Sequence, residues 1–220
     1  MLMNDALRML ETMVALQESH NLQVATDWRM RGLPFQRAIW VECAELLDHF
    51  GWKWWKHQSP DLGQVKLELV DIWHFGLSQL MVDGQVEGRA ALQLAGQMAG
   101  VRLTARDAGD ALSAERFRAS VESLALVALQ NGRFSVAAFA ELMEGLAMDL
   151  RELFELYVGK NVLNRFRQDH GYQQGSYRKT WSGREDNAHL LEVVSDLDPS
   201  RPDYVGALYA LLEARYRETA

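Results

Sequence analysis

Two helix-length segments with an apolar repeat stand on either side of a short loop, and this arrangement constrains the fold most. The first segment covers residues 35–50 and the second covers residues 63–82, where apolar side chains recur at the spacing of one helix face. The loop ends in HQSPDLG, in which Ser59 or Asp61 can cap the second helix. A short connection makes consecutive helices antiparallel neighbours. The sequence therefore predicts an antiparallel helix pair.

Helical patterns continue along the rest of the chain. Residues 83–109 are richer in Gly and predict a loop or a poorly specified helix, and no segment alternates apolar and polar residues like a strand. We therefore expect an all-α helical bundle, with residues 1–220 as a single domain and residues 83–150 as a looser helical subdomain. The further helices are predicted at residues 4–21, 111–130, 135–158 and 202–217.

Charge and composition argue against several classes of partner. The formal net charge of −7 argues against sequence-independent binding to nucleic acid, which needs an excess of Lys and Arg on one face. No apolar run reaches the roughly 18 residues of a membrane span, so no membrane partner is expected. The single cysteine, Cys43, cannot form an intramolecular disulfide and is compatible with a reducing cytoplasm.

Four carboxylates stand out on the predicted helix pair. Glu42 and Glu45 are three residues apart on the first helix, and Glu68 and Asp71 repeat this spacing on the second. Side chains three residues apart are neighbours on a helix face, and the surrounding residues are strongly apolar. Packed together without counter-charge, four carboxylates would repel one another, and a divalent cation is the simplest relief. Oxygen ligands without clustered Cys or suitably spaced His favour Mg²⁺ or Mn²⁺. The alternative is that these acids are solvated surface residues.

The segment GKNVLNRFRQDHGYQQGSYRKTW differs in character from the rest of the acidic chain. It is polar, aromatic and basic, and it contains Gly171 and Gly175. Cations, Tyr hydroxyls and Gly-rich backbone suit a polyphosphate that is covered during reaction and then released. The cations of this segment are Lys160, Arg165, Arg167, Arg178 and Lys179.

A third cluster, WKWWK at residues 52–56, contains three of the seven Trp residues. Three interpretations remain open for these rings: core packing, a partner surface, or the wall of a site for an aromatic, anionic ligand.

Four motifs together resemble the dimeric, all-α dUTPases, relatives of the MazG-type nucleotide pyrophosphohydrolases. They are ECAELLDHFGWKWWK, ELVDIWHF, YVGKNVLNRFRQDHGYQQGSYRKTW and GREDN, and the resemblance covers about residues 10–82 and 155–190. It implies a homodimeric, Mg²⁺-dependent enzyme, with Mn²⁺ able to substitute. The implied reaction is hydrolysis of dUTP to dUMP and pyrophosphate, with dUDP as a further substrate.

The resemblance also implies roles for individual residues. Glu42, Glu45, Glu68 and Asp71 would bind the metal, and Glu42 with Glu45 would orient or deprotonate the attacking water. The base and sugar would contact Gln17, Asn21, Trp54, His74, Phe75 and Asn164, and the phosphates would contact Lys160, Arg167, Tyr172, Lys179 and Asn187.

Two alternative functions remain open. The first is a related all-α pyrophosphatase that acts on dCTP or other noncanonical triphosphates, because the amides of Gln17 and Asn21 can be oriented to read cytosine as well as uracil. The second is a noncatalytic helical protein that senses nucleotides or binds a partner on the same scaffold.

Overall fold

Helices provide nearly all the regular structure in the computed structural model, which describes residues 3–101, 111–199, 201 and 203–218. The all-α prediction is confirmed. The helices are α1 (Met3–Val24), α2 (Phe35–Phe50), α3 (Leu62–Val82), α4 (Gly88–Ala99), α5 (Ala111–Asn131), α6 (Val136–Gly145), α7 (Leu150–Asp169), α8 (Asp186–Asp196) and α9 (Tyr204–Arg217); a 3-10 turn covers Trp28–Met30.

Local capping signals define the predicted pair, α2 and α3. Helix α2 ends at Gly51, whose φ of 91° suits a residue without a Cβ and whose N–H reaches the Leu47 carbonyl. The Asp61 side chain caps α3 by accepting a hydrogen bond from the Gln64 N–H at 3.2 Å. The Asp61 N–H donates to the His49 carbonyl at 3.0 Å, which returns the chain beside the end of α2. The helix pair is therefore confirmed.

The chain divides into two units, and the first comprises Met1–Leu153. Its core is formed where α2 packs on α3; α5 packs on α2 and α1 packs on α3, while α4 and α6 pack on α1 and α5 respectively. Trp73 of α3 is fully buried and stacks on Phe139 of α6 with ring centres 5.1 Å apart. The ring of Phe134 lies edge-on to Trp73 at 6.0 Å. This unit therefore holds the carboxylate-bearing helices on a closely packed aromatic base.

The prediction of one helix over residues 135–158 is wrong, because the structure has two helices there. Helix α6 ends at Gly145, and Ala147 adopts a φ of 50°, which no α-helix contains. Asp149 then caps the next helix, since its carboxylate accepts from the Glu152 N–H at 2.8 Å. Helix α7 continues to Asp169, so the first part of the predicted basic tail is helical.

The Gly-rich middle region is more regular than its sequence pattern indicates. Helix α4 occupies residues 88–99 of the segment predicted as a loop or poorly specified helix, while residues 102–110 lie outside the described part of the chain. Helices α4, α5 and α6 belong to the first unit. The single-domain organisation with a looser subdomain stays a prediction.

The second unit comprises Phe154–Ala220 and contains two elements that the sequence did not predict. Strands β1 (Thr180–Trp181) and β2 (Arg184–Glu185) form a small antiparallel hairpin, and helix α8 follows directly. Helix α8 packs on α9, which matches the helix predicted over residues 202–217. Phe166 and Trp181 are fully buried at the centre of an aromatic core, with ring centres 5.7 Å apart.

None of the helices in the described residues combines the length and apolar character needed to cross a membrane.

Candidate active site

Three of the four predicted metal ligands meet between α2 and α3. One carboxylate oxygen from each of Glu42, Glu68 and Asp71 lies within 4.8 Å of the other two. Glu68 is buried, with 4% of its surface exposed, and the other two are half-buried. Three carboxylates at this separation repel one another unless positive charge is nearby. Oxygen ligands converging at this distance fit a hard divalent cation such as Mg²⁺.

Glu45 stands apart from this group of three carboxylates. It is exposed and lines a different cavity from the one beside Glu42. The imidazole Nε2 of His49 lies 3.5 Å from a Glu68 carboxylate oxygen, and sequence reasoning missed this contact. The sequence feature that could have indicated His49 is its spacing: it follows Glu42 by seven residues, which is two helical turns along α2. The sequence placed Glu42 and Glu45 together, whereas packing directs only Glu42 toward α3.

An apolar cavity of about 430 Å³ adjoins this group of three carboxylates, because Glu42 is one of its lining residues. Glu42 and Phe75 both line it, so the half-buried ring of Phe75 faces open space rather than only the core. Sequence reasoning missed the other lining residues of this cavity, although the apolar Leu-Pro-Phe run that leads into α2 was a signal. The remaining lining residues are Leu33, Pro34, Phe35, Arg37, Ala38 and Val41.

The two predicted base-reading amides join a buried hydrogen-bond network between α1 and α3. Gln17 Nε2 donates to Asn21 Oδ1 and to Ser78 Oγ, both at 3.0 Å, and Asn21 Nδ2 donates to the same Ser78 Oγ at 3.0 Å. Gln17 Oε1 lies 2.7 Å from Nδ1 of His74. Three predicted residues are thus brought together, but they are not among those lining the Phe75 cavity. Ser78 was missed, although it stands one turn after His74.

The WKWWK rings lie at the surface, which excludes core packing as their explanation. Trp52, Trp54 and Trp55 are 45%, 89% and 57% exposed. Trp54 lines a cavity of about 910 Å³ together with Glu45, not the cavity beside Phe75. The Asp48 carboxylate accepts hydrogen bonds from Lys53 and Trp52, which lower the pKa of Asp48. The partner-surface and ligand-wall interpretations both stay open.

In the second unit, four predicted ligand residues converge on one cluster. Lys160 is 2% exposed and its Nζ donates to Asn187 Oδ1 at 3.0 Å. Arg167 donates to Asn164 Oδ1 at 3.1 Å and to Asn187 Oδ1 at 3.3 Å. Residues separated by 27 positions in the sequence therefore share hydrogen bonds. Two cations held by amides form a candidate phosphate site.

Asp186 is the central acid of this cluster and was missed. It is fully buried and accepts hydrogen bonds from two Arg167 nitrogens and, at 2.8 Å, from the Tyr177 hydroxyl. Burial opposes its ionisation, but the hydrogen bonds and charge of Arg167, helped by Tyr177, lower the pKa of Asp186. Burial and the Asp186 carboxylate raise the pKa of Tyr177. Asp186 belongs to the motif GREDN, so the sequence pointed to this region, but only the Asn of that motif was assigned a role.

Tyr172 and Lys179 lie at the margin of the cluster. The Arg167 guanidinium carbon is 6.0 Å from the ring centre of exposed Tyr172. Lys179 Nζ is exposed and 3.7 Å from a Glu185 carboxylate oxygen, while the Lys179 carbonyl accepts from the Asp186 N–H. The structure therefore brings the backbone of Lys179, rather than its ammonium group, to the cluster.

Fold and site together define an all-α protein in which a group of three carboxylates is suited to a divalent cation. The family model described as dUTPase matches residues 9–172, which include most of α1, the whole α2–α3 pair and α7. The chain belongs to this dUTPase family and is a dUTP diphosphatase. No curated protein matches the chain. Lys179, Asp186 and Asn187 lie beyond the matched residues.

Proposed function

We propose that the protein hydrolyses dUTP to dUMP and pyrophosphate in a Mg²⁺-dependent reaction and accepts dUDP as a second substrate. The observation that carries this proposal is the convergence of Glu42, Glu68 and Asp71 beside the cavity lined by Phe75. Membership of the dUTPase family supports the nucleotide, and the carboxylate oxygens support the class of metal ion.

Glu42, Glu68 and Asp71 would hold the cation, with Glu45 as a fourth ligand after rotation of its exposed side chain. Mn²⁺ would substitute, since it also binds carboxylate oxygens. When bound, a divalent cation neutralises charge on the phosphate oxygens and lowers the pKa of a coordinated water. Without it, the three carboxylates would repel the anionic substrate.

Glu45, with Glu42, would orient the attacking water and accept its proton. The resemblance to dimeric dUTPases favours attack at the β-phosphorus, which breaks the bond between that atom and the oxygen bridging to the α-phosphate. The bridging oxygen then leaves with dUMP. Hydrolysis in H₂¹⁸O tests this step, because attack at the β-phosphorus places the label in pyrophosphate and attack at the α-phosphorus places it in dUMP.

Substrate binding would use the base, sugar and phosphate contacts that the resemblance to dimeric dUTPases implies. Phe75 would stack on the uracil, Asn21 with Gln17 and His74 would read its edge, and Trp54 would lie beside base or sugar. Asn164 would contact the deoxyribose hydroxyl. Cationic and polar groups of the second unit suit the triphosphate, and the proposed phosphate ligands are Lys160, Arg167, Tyr172, Lys179 and Asn187.

A panel of nucleoside triphosphates tests the proposal directly. Pyrophosphate release would be measured for dUTP, dCTP, dTTP and UTP, with Mg²⁺ and with excess EDTA. We expect dominant, EDTA-sensitive release from dUTP. Dominant activity on dCTP would replace the proposed substrate, and undiminished activity in EDTA would reject the metal dependence.

A Glu45→Gln variant tests the proposed base. We expect it to abolish turnover while leaving the free energy of unfolding within about 0.5 kcal/mol, because Glu45 is exposed. Glu141→Gln, an exposed carboxylate on α6 of the same unit, is the matched control and should retain full turnover. Unchanged turnover in Glu45→Gln would reject its catalytic role.

We further propose that the protein is a cytoplasmic homodimer, as the resemblance to dimeric dUTPases implies. The single, buried Cys43 is compatible with a reducing compartment. Light scattering coupled to size exclusion measures the oligomeric state, and a mass near the 25.0 kDa of one chain would reject the dimer.

A further inference from the structure

Ser78 occupies the centre of the amide network, and its hydroxyl proton is already used. Ser78 Oγ donates to the His74 carbonyl at 2.9 Å, one turn back along α3. A hydroxyl has one proton to donate and two lone pairs to accept with. The groups that Gln17 and Asn21 place 3.0 Å from this oxygen must therefore be their NH₂ groups, because two further oxygens there would face its lone pairs.

This arrangement determines the direction of the remaining hydrogen bonds. With its NH₂ group turned toward Ser78 and Asn21, the Gln17 amide directs Oε1 to His74, so that Nδ1 of His74 carries the proton. Asn21 Oδ1 accepts from Gln17, and one Nδ2 proton goes to Ser78. Ser78 is 1% exposed, so water does not compete for its lone pairs.

Asn21 retains one N–H and one oxygen lone pair that carry no hydrogen bond to any other described residue. Of the two amides it is also the more exposed, at 9% against 3% for Gln17. An amide held in one orientation presents its donor and its acceptor in a fixed order. Asn21 is therefore suited to reading a base edge, while Gln17 supports it.

The fixed order discriminates between uracil and cytosine. Uracil presents the O4 carbonyl beside N3–H, so it accepts from the Asn21 N–H and donates to Oδ1 in one pose. Cytosine in the same pose places its amino group, a donor, opposite that N–H and its N3 lone pair, an acceptor, opposite Oδ1. Neither hydrogen bond can then form. Rotation of the amide by half a turn would reverse the preference. A site whose polar groups cannot turn rejects the wrong partner far more strongly than one that can adapt.

We propose that Ser78 is a positioning residue for base specificity, which holds the Asn21 and Gln17 amides in the orientation that accepts uracil and rejects cytosine. This inference rests on the proposed function, because it assigns the selectivity of the same site. Ser78 would act through its hydrogen bond with Asn21.

Substitution of Ser78 by Ala tests the inference by removing the shared acceptor. The measurement is the ratio of kcat/KM for dUTP to kcat/KM for dCTP, with dCTP also titrated as a competitive inhibitor of dUTP hydrolysis. We expect the ratio to fall at least tenfold and the inhibition constant of dCTP to fall, while kcat for dUTP changes little. Equal losses for both nucleotides would show only a structural role and overturn the inference.

Ser123→Ala is the matched control. The Ser123 hydroxyl makes the same bond one turn back along a helix, to the Ala119 carbonyl at 2.8 Å, but it is exposed and belongs to no amide network. This variant should keep the nucleotide ratio of the unsubstituted protein. A comparable fall in the ratio for Ser123→Ala would also overturn the inference.

A measurement on the unsubstituted protein covers the case in which Ser78→Ala does not fold. Nuclear Overhauser effects should connect the β-protons of Ser78 with the side-chain NH₂ protons of both Gln17 and Asn21, and their absence for either amide would reject the network polarity. Equal hydrolysis of dUTP and dCTP by the unsubstituted protein would reject the proposed function together with this inference. A dUTP preference that persists in Ser78→Ala would reject only the role of Ser78.

Discussion

The Arg167 guanidinium binds the Asp186 carboxylate through two parallel hydrogen bonds, Nε to Oδ2 at 2.8 Å and Nη2 to Oδ1 at 2.9 Å. The pair joins α7 to the first turn of α8, and the Asp186 side chain is fully buried. Paired geometry of this kind fixes both the position and the plane of an Arg side chain. Asp186 thereby presents the proposed phosphate ligand Arg167 in a defined orientation.

Replacement of Asp186 by Asn is expected to lower the free energy of unfolding by about 3 kcal/mol, because it leaves a largely buried guanidinium without its counter-charge. Urea titration followed by circular dichroism measures this change. Glu213→Gln is the control, since the Glu213–Arg217 pair in the same unit is more exposed and should contribute less than about 1 kcal/mol. Equal losses in the two variants would contradict the structural importance of the buried pair.

The same carboxylate should give the protein an acid-sensitive component of stability. Because the pKa of Asp186 is lower in the folded than in the unfolded protein, its contribution is complete above the unfolded value of about 4 and is lost as the pH falls through the folded pKa. The unsubstituted protein should therefore lose stability more steeply below about pH 4 than Asp186→Asn does. Urea titrations between pH 5 and pH 2.5 measure both slopes, and parallel slopes would refute this assignment.

Mg²⁺ should stabilise the unit that contains Glu42, Glu68 and Asp71. A ligand that binds only the folded state adds about 2.7 kcal/mol at one hundred times its dissociation constant. Thermal unfolding with increasing Mg²⁺ should show a rising midpoint that EDTA reverses. Glu68→Gln should reduce this response strongly, whereas Glu141→Gln, on the exposed face of α6, should retain it. An identical Mg²⁺ response in Glu68→Gln would place the ion elsewhere.

Phe75→Ala should raise KM for dUTP about tenfold with a smaller change in kcat. The ring lines an open cavity beside Glu42, and base stacking on an aromatic ring contributes about 1–3 kcal/mol. Steady-state kinetics separate the two parameters. The control is Trp55→Ala, which removes an aromatic ring that is 57% exposed and does not line that cavity. Equal KM changes in both variants would argue against stacking by Phe75.

A side chain at Gly76 should destabilise the protein, because a Cβ at this position would lie 2.7 Å from the ring of Phe134. That ring is confined by Trp73 and Phe139, so Gly76→Ala should lower the free energy of unfolding by about 1–3 kcal/mol. Gly96→Ala on α4 is the matched helical control, since its Cβ meets only the end of the flexible Met3 side chain.

Chemical denaturation measures both variants. The control should be neutral or stabilising by up to about 1 kcal/mol, because Ala has the higher helix propensity. A Gly76→Ala variant as stable as the control would mean that the Phe134 ring has room to move.

The sequence by itself determined the features that depend on neighbouring residues. The α2–α3 pair was predictable because Gly51 and Asp61 act locally, ending one helix and capping the next. Helix α8 and the break before Asp149 were not predicted, although the positive φ of Ala147 and the Asp149 cap are also local features. Capping residues are common, so packing decides which of them is used.

The tertiary structure alone decided which side chains meet. The spacing of Glu42 and Glu45 places both on adjoining parts of one helix surface, but only the packing of α2 against α3 directs Glu42 inward and leaves Glu45 exposed. The pairing of Arg167 with Asp186 joins residues 19 positions apart, and no local periodicity encodes it. Such partners depend on how separate elements fold onto a common core, whereas helix formation and capping depend on contacts within a few residues.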